Sequence, residues 1–395
     1  MSDALDDIDA LIEQAVGADR DPYPEFARRR RDSPLVAEAG FGGFFLYTVY
    51  RYADVERVLR DAETFSSRVY APAIGAVLGP SFLQMDGVEH QRKRAVVGGA
   101  FRRSLIAGWE DTLIAPTVHQ LIDAFTPRGR AELVREFTIR FPIRIIARIL
   151  GIPSDDYDRF ARLSIQLINI AGDIQQGLTA SRALGEYFSG ILAERRRAPE
   201  DDVISMLASA EVDGEPMLDE EIFGFLRLLL PAGAETTYRL LGNLLFGLLT
   251  HPDQLDAVRD DRSLLARAIE EALRWESPVQ FVSREPVTDV VIAGRHVPAG
   301  GHISCAIGSA NHDEAVFNDP ESFDIFRAPA PHLAFAEGPH RCLGEHLARV
   351  ETTIAMNALL DRLVDIRLEA GDTDPHVQGF AFRSPTSLPV RFARS

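Results

Sequence analysis

At 395 residues the chain is long enough for one large domain or two to three ordinary ones, and a hydrophobic content of 46% can fill a substantial core. A net charge of −17 argues against nucleic acid and against an anionic membrane surface as partners. Two cysteines exclude a disulfide framework and a zinc site of four thiolates. The start, MSDALDDIDALIEQAV, has no basic n-region and no long apolar run, so neither a signal peptide nor a membrane anchor is expected, and the cytoplasm is the expected compartment.

After this amphipathic beginning, the arginine run at 28–31 reads as a solvated helix face. FFLYTV (44–49) reads as a strand, 50–67 as a helix, and the Gly/Pro-interrupted stretch 68–85 as a loop. From 86 to 275 apolar periodicity predicts helices at 89–100, 109–125, 131–149, 154–171, 180–197, 219–250 and 262–276. Asp219 is the expected N-cap of the longest of these, and THP (250–252) its end. Pro231 lies inside it, where a missing N–H and a ring clash predict a kink at a cost of ~3 kcal/mol. The β-branched stretch 281–307, broken by AGR and PAGG, predicts short strands and turns. A loop-rich stretch, 308–341, leads to a last helix ending near 362, and SLPVRF (387–392) reads as a final strand. With no repeat and no linker, the expectation is a single domain over 1–395, mainly α with small β-sheets.

Two stretches carry chemistry. HLAFAEGPHRCLGEHLAR (332–349) places Cys342 between Gly338-Pro339 and Gly344, at the mouth of a helix. The glycines mark a turn where backbone approaches something closely, and helix N–H groups favour a thiolate there. Such a thiolate can be a nucleophile or an axial ligand to iron. Cys305, in the apolar run HISCAI, reads as a small core side chain and is given no role. In LPAGAETTYRLL (230–241) close packing explains Ala232, Gly233 and Ala234, but not an acid followed by threonines. A buried carboxylate is costly without a partner or a job. Taken alone, Glu271 and Arg274, three apart in EEALRW, read as an ordinary helix ion pair.

Phe335, Gly338, His340, Cys342 and Gly344 resemble the haem-binding loop of the cytochrome P450 family, with Ala336 where many bacterial members have glycine. Residues 232–237 are similar to the family's oxygen-binding segment, Ala-Gly-x-Glu-Thr-Thr. The resemblance extends from YRYADVERVLRD to SLPVRF and implies the P450 fold, with Cys342 as axial ligand of a haem b iron. It implies an acid–alcohol pair, Glu235 and Thr236, that delivers protons, Glu235 linking the network to solvent, while Ala232 and its neighbours leave room for dioxygen. Haem contacts are expected from Phe335, Ala232 and Gly344, and propionate contacts from His90, Arg94, Arg284 and His340. Glu271 and Arg274, with Arg327 from FDIFR, resemble the family's structural Glu–Arg–Arg set, which locks the loop before the cysteine. Substrate contacts implied by the resemblance are Phe82 in the 68–85 loop, Leu228, Ala232, Val279, Phe281, Val282, Ala381 and Phe382.

The implied function is a soluble bacterial monooxygenase, monomeric and without a fused reductase. It takes electrons from NAD(P)H through a ferredoxin and a ferredoxin reductase and oxygenates a hydrophobic small molecule of terpenoid, steroid, fatty acid or polyketide type. The ferredoxin is expected on the cysteine side, near Arg92, Lys93, Arg102, Arg103, Arg341 and Arg349. Three rivals remain: a peroxide-driven peroxygenase, a haem protein that binds a ligand without turnover, and a nucleophilic-cysteine enzyme. The last would need a base, and His340 has no orienting partner visible in the sequence.

Overall fold

The computed structural model describes residues 21–39, 45–169, 173–369 and 375–394. The amphipathic start, the first residue of the strand expected at 44–49 and the end of the helix expected at 154–171 lie outside the described residues.

Helices of six residues or more run in chain order as α1 (Tyr23–Asp32), α2 (Tyr52–Arg60), α3 (Gly87–Gly98), α4 (Arg103–Trp109), α5 (Ala115–Phe125), α6 (Arg140–Ile149) and α7 (Tyr157–Ile168). They continue as α8 (Ile174–Arg197), α9 (Val203–Ala208), α10 (Asp219–Leu229), α11 (Thr236–Thr250), α12 (Pro252–Asp260), α13 (Leu265–Trp275) and α14 (Glu345–Arg362). A five-stranded sheet has the order Leu35–Ala39, Phe45–Val49, His302–Ala306, Phe281–Pro286, Phe65–Ser66. Phe45–Val49 and His302–Ala306 pair in parallel; the other neighbours are antiparallel. One apolar core fills the helical body, and a smaller one lies under this sheet and α2. Cys305 is buried in the sheet opposite Val49 and Val282, and burial pushes its thiol up to about 12, which makes it inert.

Several expected elements are redrawn by tertiary context. The start of the helix expected at 131–149 is a strand, Arg130–Glu132, because it pairs with the C-terminal strand at Pro389–Arg391. The stretch 68–85, expected as a loop, is a chain of short helical turns at Arg68–Tyr70, Ala71–Gly75, Ala76–Leu78 and Phe82–Gln84. Helix α8 starts six residues before the expected 180, where Asp173 caps it by accepting from the Gln176 N–H at 2.9 Å. Asp219 is not an N-cap: Leu218 holds that position, and Asp219 is in the first turn, ion-paired with Arg196. Its charge still complements the helix N-terminus.

The single helix expected at 219–250 is two. Helix α10 ends at Leu229, residues 230–235 form one wide π-type turn around Pro231, and α11 resumes at Thr236. Proline cannot donate to the preceding turn, so the ladder widens by one residue there. That widened turn faces the cysteine loop across a shared cavity.

Candidate functional site

The cysteine loop is held by its own backbone. The Cys342 N–H donates to Phe335 O at 2.9 Å, and Ala336 N–H to Leu333 O at 2.8 Å. Gly338 has φ +73°, and a Cβ there would lie 2.5 Å from Leu59 O. Only glycine lets the loop pass the end of α2 so closely. Ala336 has φ +55°, a left-handed conformation that glycine adopts freely and alanine at a cost of ~1–2 kcal/mol. Gly344 is the N-cap of α14, so Cys342 stands just before the helix rather than opening it. Burial raises the thiol above its ordinary range, while the Gly344 N–H and the cations Arg94 and Arg349 oppose that shift. A sulfur in this setting is a thiolate only when a cation binds it.

Across a cavity of about 250 Å³ from Cys342, Gly344 and Leu347 lie Leu228, Ala232, Gly233 and Thr236. A Cβ on Gly344 would meet only open space. Phe82 and Phe335 complete part of the wall. The Thr236 hydroxyl donates to Ala232 O at 2.7 Å. Glu235 is 4% exposed and, instead of reaching solvent, accepts from Arg239 Nη2 at 2.8 Å. Burial raises its carboxyl, and Arg239 pulls it down. Arg239 donates on to Ser384 Oγ at 3.2 Å and lies over the Phe382 ring at 5.4 Å. The expectations above omit Arg239, although its i,i+4 spacing from Glu235 was a usable signal.

The four expected propionate contacts gather at one edge. His90 and His340 face each other with ring centroids 4.0 Å apart, and the buried Nε2 of each has no hydrogen-bond partner among the described residues. Burial, then Arg284 and His90, hold the His340 imidazole down at about 3, so it is neutral. Asp86 is 3.6 Å from its Nε2 and makes no hydrogen bond to it. Arg284 is buried, with Nη1 on its neighbour Ser283 O at 2.7 Å, and Arg94 donates to Arg341 O. Two guanidinium groups and two imidazoles with orphan nitrogens suit two carboxylates. With an apolar cavity and a lone thiol beside them, these residues fit an iron porphyrin.

Glu271 accepts from Arg274 Nε at 2.8 Å and Nη2 at 2.7 Å, and from Arg327 Nε at 3.2 Å. The two arginines also donate to the carbonyls of Asn311, Pro320, Ser322 and Asp319, so the set pins the loop that leads to the cysteine. The other expected substrate residues lie outside the cavity wall. Val279 bridges Phe382, beside exposed Ala381; Phe281 packs on Phe26 and Phe380; Val282 pairs with Cys305. A further wall residue goes unanticipated: Glu351 on α14 is 3% exposed and, among the described residues, makes no hydrogen bond or ion pair. Burial pushes its carboxyl up to about 8.

Residues 157–380 match the family described as Cytochrome P450. The chain is 34% identical over 392 residues to Cytochrome P450 107B1 of Saccharopolyspora erythraea, covering 94% of this chain and 95% of that one. It is 37% identical over 323 residues to a steroid C26-monooxygenase of Mycobacterium tuberculosis, covering 80% and 81%. Among solved structures it is similar to CYP109Q5 from Chondromyces apiculatus, with a TM-score of 0.87 at 38% identity over 95% of this chain and 96% of that one. CYP109E1 from Bacillus megaterium in complex with testosterone gives a TM-score of 0.85 at 32% identity, over 94% and 99%.

Proposed function

The chain belongs to the cytochrome P450 family of monooxygenases, and from that premise we propose that it inserts one oxygen atom of O2 into a hydrophobic small molecule, using haem b and electrons from NAD(P)H. Bound haem supplies the iron at which dioxygen is activated. The observation that carries this reading is the lone thiol of Cys342 facing Thr236 across one apolar cavity, with carboxylate receptors at its edge. Cys342 would ligate the iron, and the Gly344 N–H favours its negative form. His90, Arg94, Arg284 and His340 would hold the two propionates, and Phe335 and Gly344 would shape the pocket around the ring. Thr236 holds a proton-bearing hydroxyl at the wide turn, and Glu235, once it takes a proton from water in place of its Arg239 contact, passes that proton toward it. Glu271, Arg274 and Arg327 fix the loop that aims the sulfur. Phe82 and Leu228 exclude water from the substrate side.

The steroid named for one relative and the testosterone bound to another support a bulky, mostly apolar substrate. Glu235 and Thr236 together favour O2 over peroxide as oxidant. No helix among the described residues is long and apolar enough to cross a membrane. We place the enzyme in the cytoplasm as a single-domain monomer served by a ferredoxin and its reductase. The test is spectral and then chemical. Reduced protein under carbon monoxide is expected to show the long-wavelength band of thiolate ligation; Cys342→Ala loses it and Cys305→Ala keeps it. Product is expected with NAD(P)H, carriers and O2. A band that survives in Cys342→Ala, or turnover with peroxide alone, overturns the respective part of the reading.

A further inference from the structure

Arg227, in the last turn of α10, is half-buried, and among the described residues no carboxylate lies within ion-pair distance of it. Its guanidinium is held by carbonyl oxygens from two other elements. Nε donates to Ser181 O on α8 at 3.0 Å, and Nη1 to Leu78 O, at the end of the short helix Ala76–Leu78, at 3.3 Å. Ser181 also reaches that short helix directly, its hydroxyl donating to Val77 O at 2.5 Å. Three glycines make the room. A Cβ on Gly185, one turn beyond Ser181, would lie 2.0 Å from Arg227 Nη2. A Cβ on Gly224, one turn before Arg227, would lie 2.0 Å from Pro80 O. Gly79 has φ +91° and its Cβ position is 3.4 Å from Nη1. Backbone of residues 79–80 therefore lies directly on α10.

Desolvating a guanidinium whose nearest counter-charge, Glu220, acts only from beyond contact distance is costly, and an apolar side chain of equal length would fill the same space without that cost. What the guanidinium adds is a planar fork that binds two separate backbones at once. Those backbones adjoin the cavity. Leu228, the next residue, lines it, and the segment pinned at Leu78 continues into Phe82 and Leu83 of its wall.

We propose that Arg227 is a positioning residue of the cavity roof: it staples residues 77–80 to α8 and α10, and so sets how readily large substrates enter and leave. The proposal rests on reading this cavity as the substrate site. Burial lowers the guanidinium's affinity for its proton and the Glu220 charge opposes that, while the carbonyl cradle engages the donors.

The test uses the haem-loaded protein. Arg227→Met keeps the length and removes the donors; Arg227→Lys keeps the charge and removes the fork. Amide hydrogen exchange across residues 75–84 is expected to quicken by about tenfold in Arg227→Met, because the staple no longer opposes local opening. Dissociation of the bulky iron-ligating probe 4-phenylimidazole, followed in the Soret band, is expected to speed up severalfold, while that of imidazole changes by less than about twofold. Arg227→Lys is expected to fall between. Exchange and 4-phenylimidazole release both within twofold of the parent would overturn the proposal. Should Arg227→Met not fold, Gly185→Ala displaces the guanidinium without removing it and must show the same two changes. A protein with no thiolate band under carbon monoxide refutes the functional reading instead, and hydrogen exchange then still decides whether the staple exists.

Discussion

Single backbone and side-chain positions decide how the cysteine is presented. Gly338 combines a positive φ with contact to the backbone of Leu59 and Arg60, whereas neighbouring Ala336 carries a positive φ without being glycine. Gly338→Ala is expected to cost about 2–4 kcal/mol, from strained φ plus displaced backbone, and to lower haem content; thermal unfolding and the haem-to-protein absorbance ratio check both. Glu351 makes a different kind of prediction. Its carboxyl is raised from 4.5 to about 8, so between those values the folded state holds a proton that the unfolded state has released. Stability from this group is complete below 4.5 and is lost as pH rises through 8, by up to about 5 kcal/mol at 1.36 kcal/mol per unit. Glu351→Gln removes the titration. Urea unfolding at pH 6 and pH 8.5 is expected to show the variant gaining on the parent as pH rises; parallel pH profiles would show that Glu351 does not stay neutral.

At the scale of elements, the break between α10 and α11 is the feature on which the site depends. Pro231 widens one turn, and Thr236 begins α11 at its far edge, facing the cysteine loop. The loop leading to the cysteine has little regular structure, and side chains supply what a sheet or helix would. Glu271 and Arg274 are both at most 5% exposed, and Arg274 ties α13 to three loop carbonyls. Arg274→Met is expected to destabilise by about 3–5 kcal/mol, because it leaves the buried Glu271 carboxylate with only the longer Arg327 contact as counter-charge and frees the loop. Calorimetry measures the loss, and a shift of the carbon monoxide band to the position of a neutral thiol ligand would report the loosened loop.

For the molecule as a whole, an overall acidic surface has to receive an electron donor. Of the six basic residues expected on the cysteine side, four are already engaged: Arg92 with Asp213, Lys93 with Glu221, Arg341 with Glu337 and Glu345, and Arg349 with Glu270 and Glu345. Arg102 and Arg103, at the start of α4, are exposed and have no such partner among the described residues. Arg103→Glu is therefore expected to raise several-fold the concentration of the proposed ferredoxin partner needed for half-maximal reduction and to leave substrate-induced spectral shifts unchanged. Stopped-flow reduction of the parent should slow as salt rises, since screening shortens to ~8 Å near physiological ionic strength. A salt-independent rate would place the docking surface elsewhere.

The sequence by itself was enough for the mainly helical class, the cysteine turn and a disturbance of the helix at Pro231, though not its splitting into two helices, because these rest on local chemistry: glycine where φ must be positive, proline where a donor is missing, 3.6-residue periodicity elsewhere. It also held the Glu271–Arg274 pair, whose spacing alone puts both on one helix face. It did not hold the strand at Arg130–Glu132, which exists only because a C-terminal strand pairs with it, nor α12, which begins at the very proline that reads as a stop. The cavity wall was likewise decided by folding. Phe82 and Leu228 reach it from segments nearly 150 residues apart, while Phe281 and Val282 are taken up by other packing partners. The partner of Glu235 was within four residues, yet whether that carboxylate faced water or a cation depended on the buried space around α11. Periodicity specifies which face of a helix is apolar; what covers that face, and which charges are sealed beneath it, is set by elements far away in the chain.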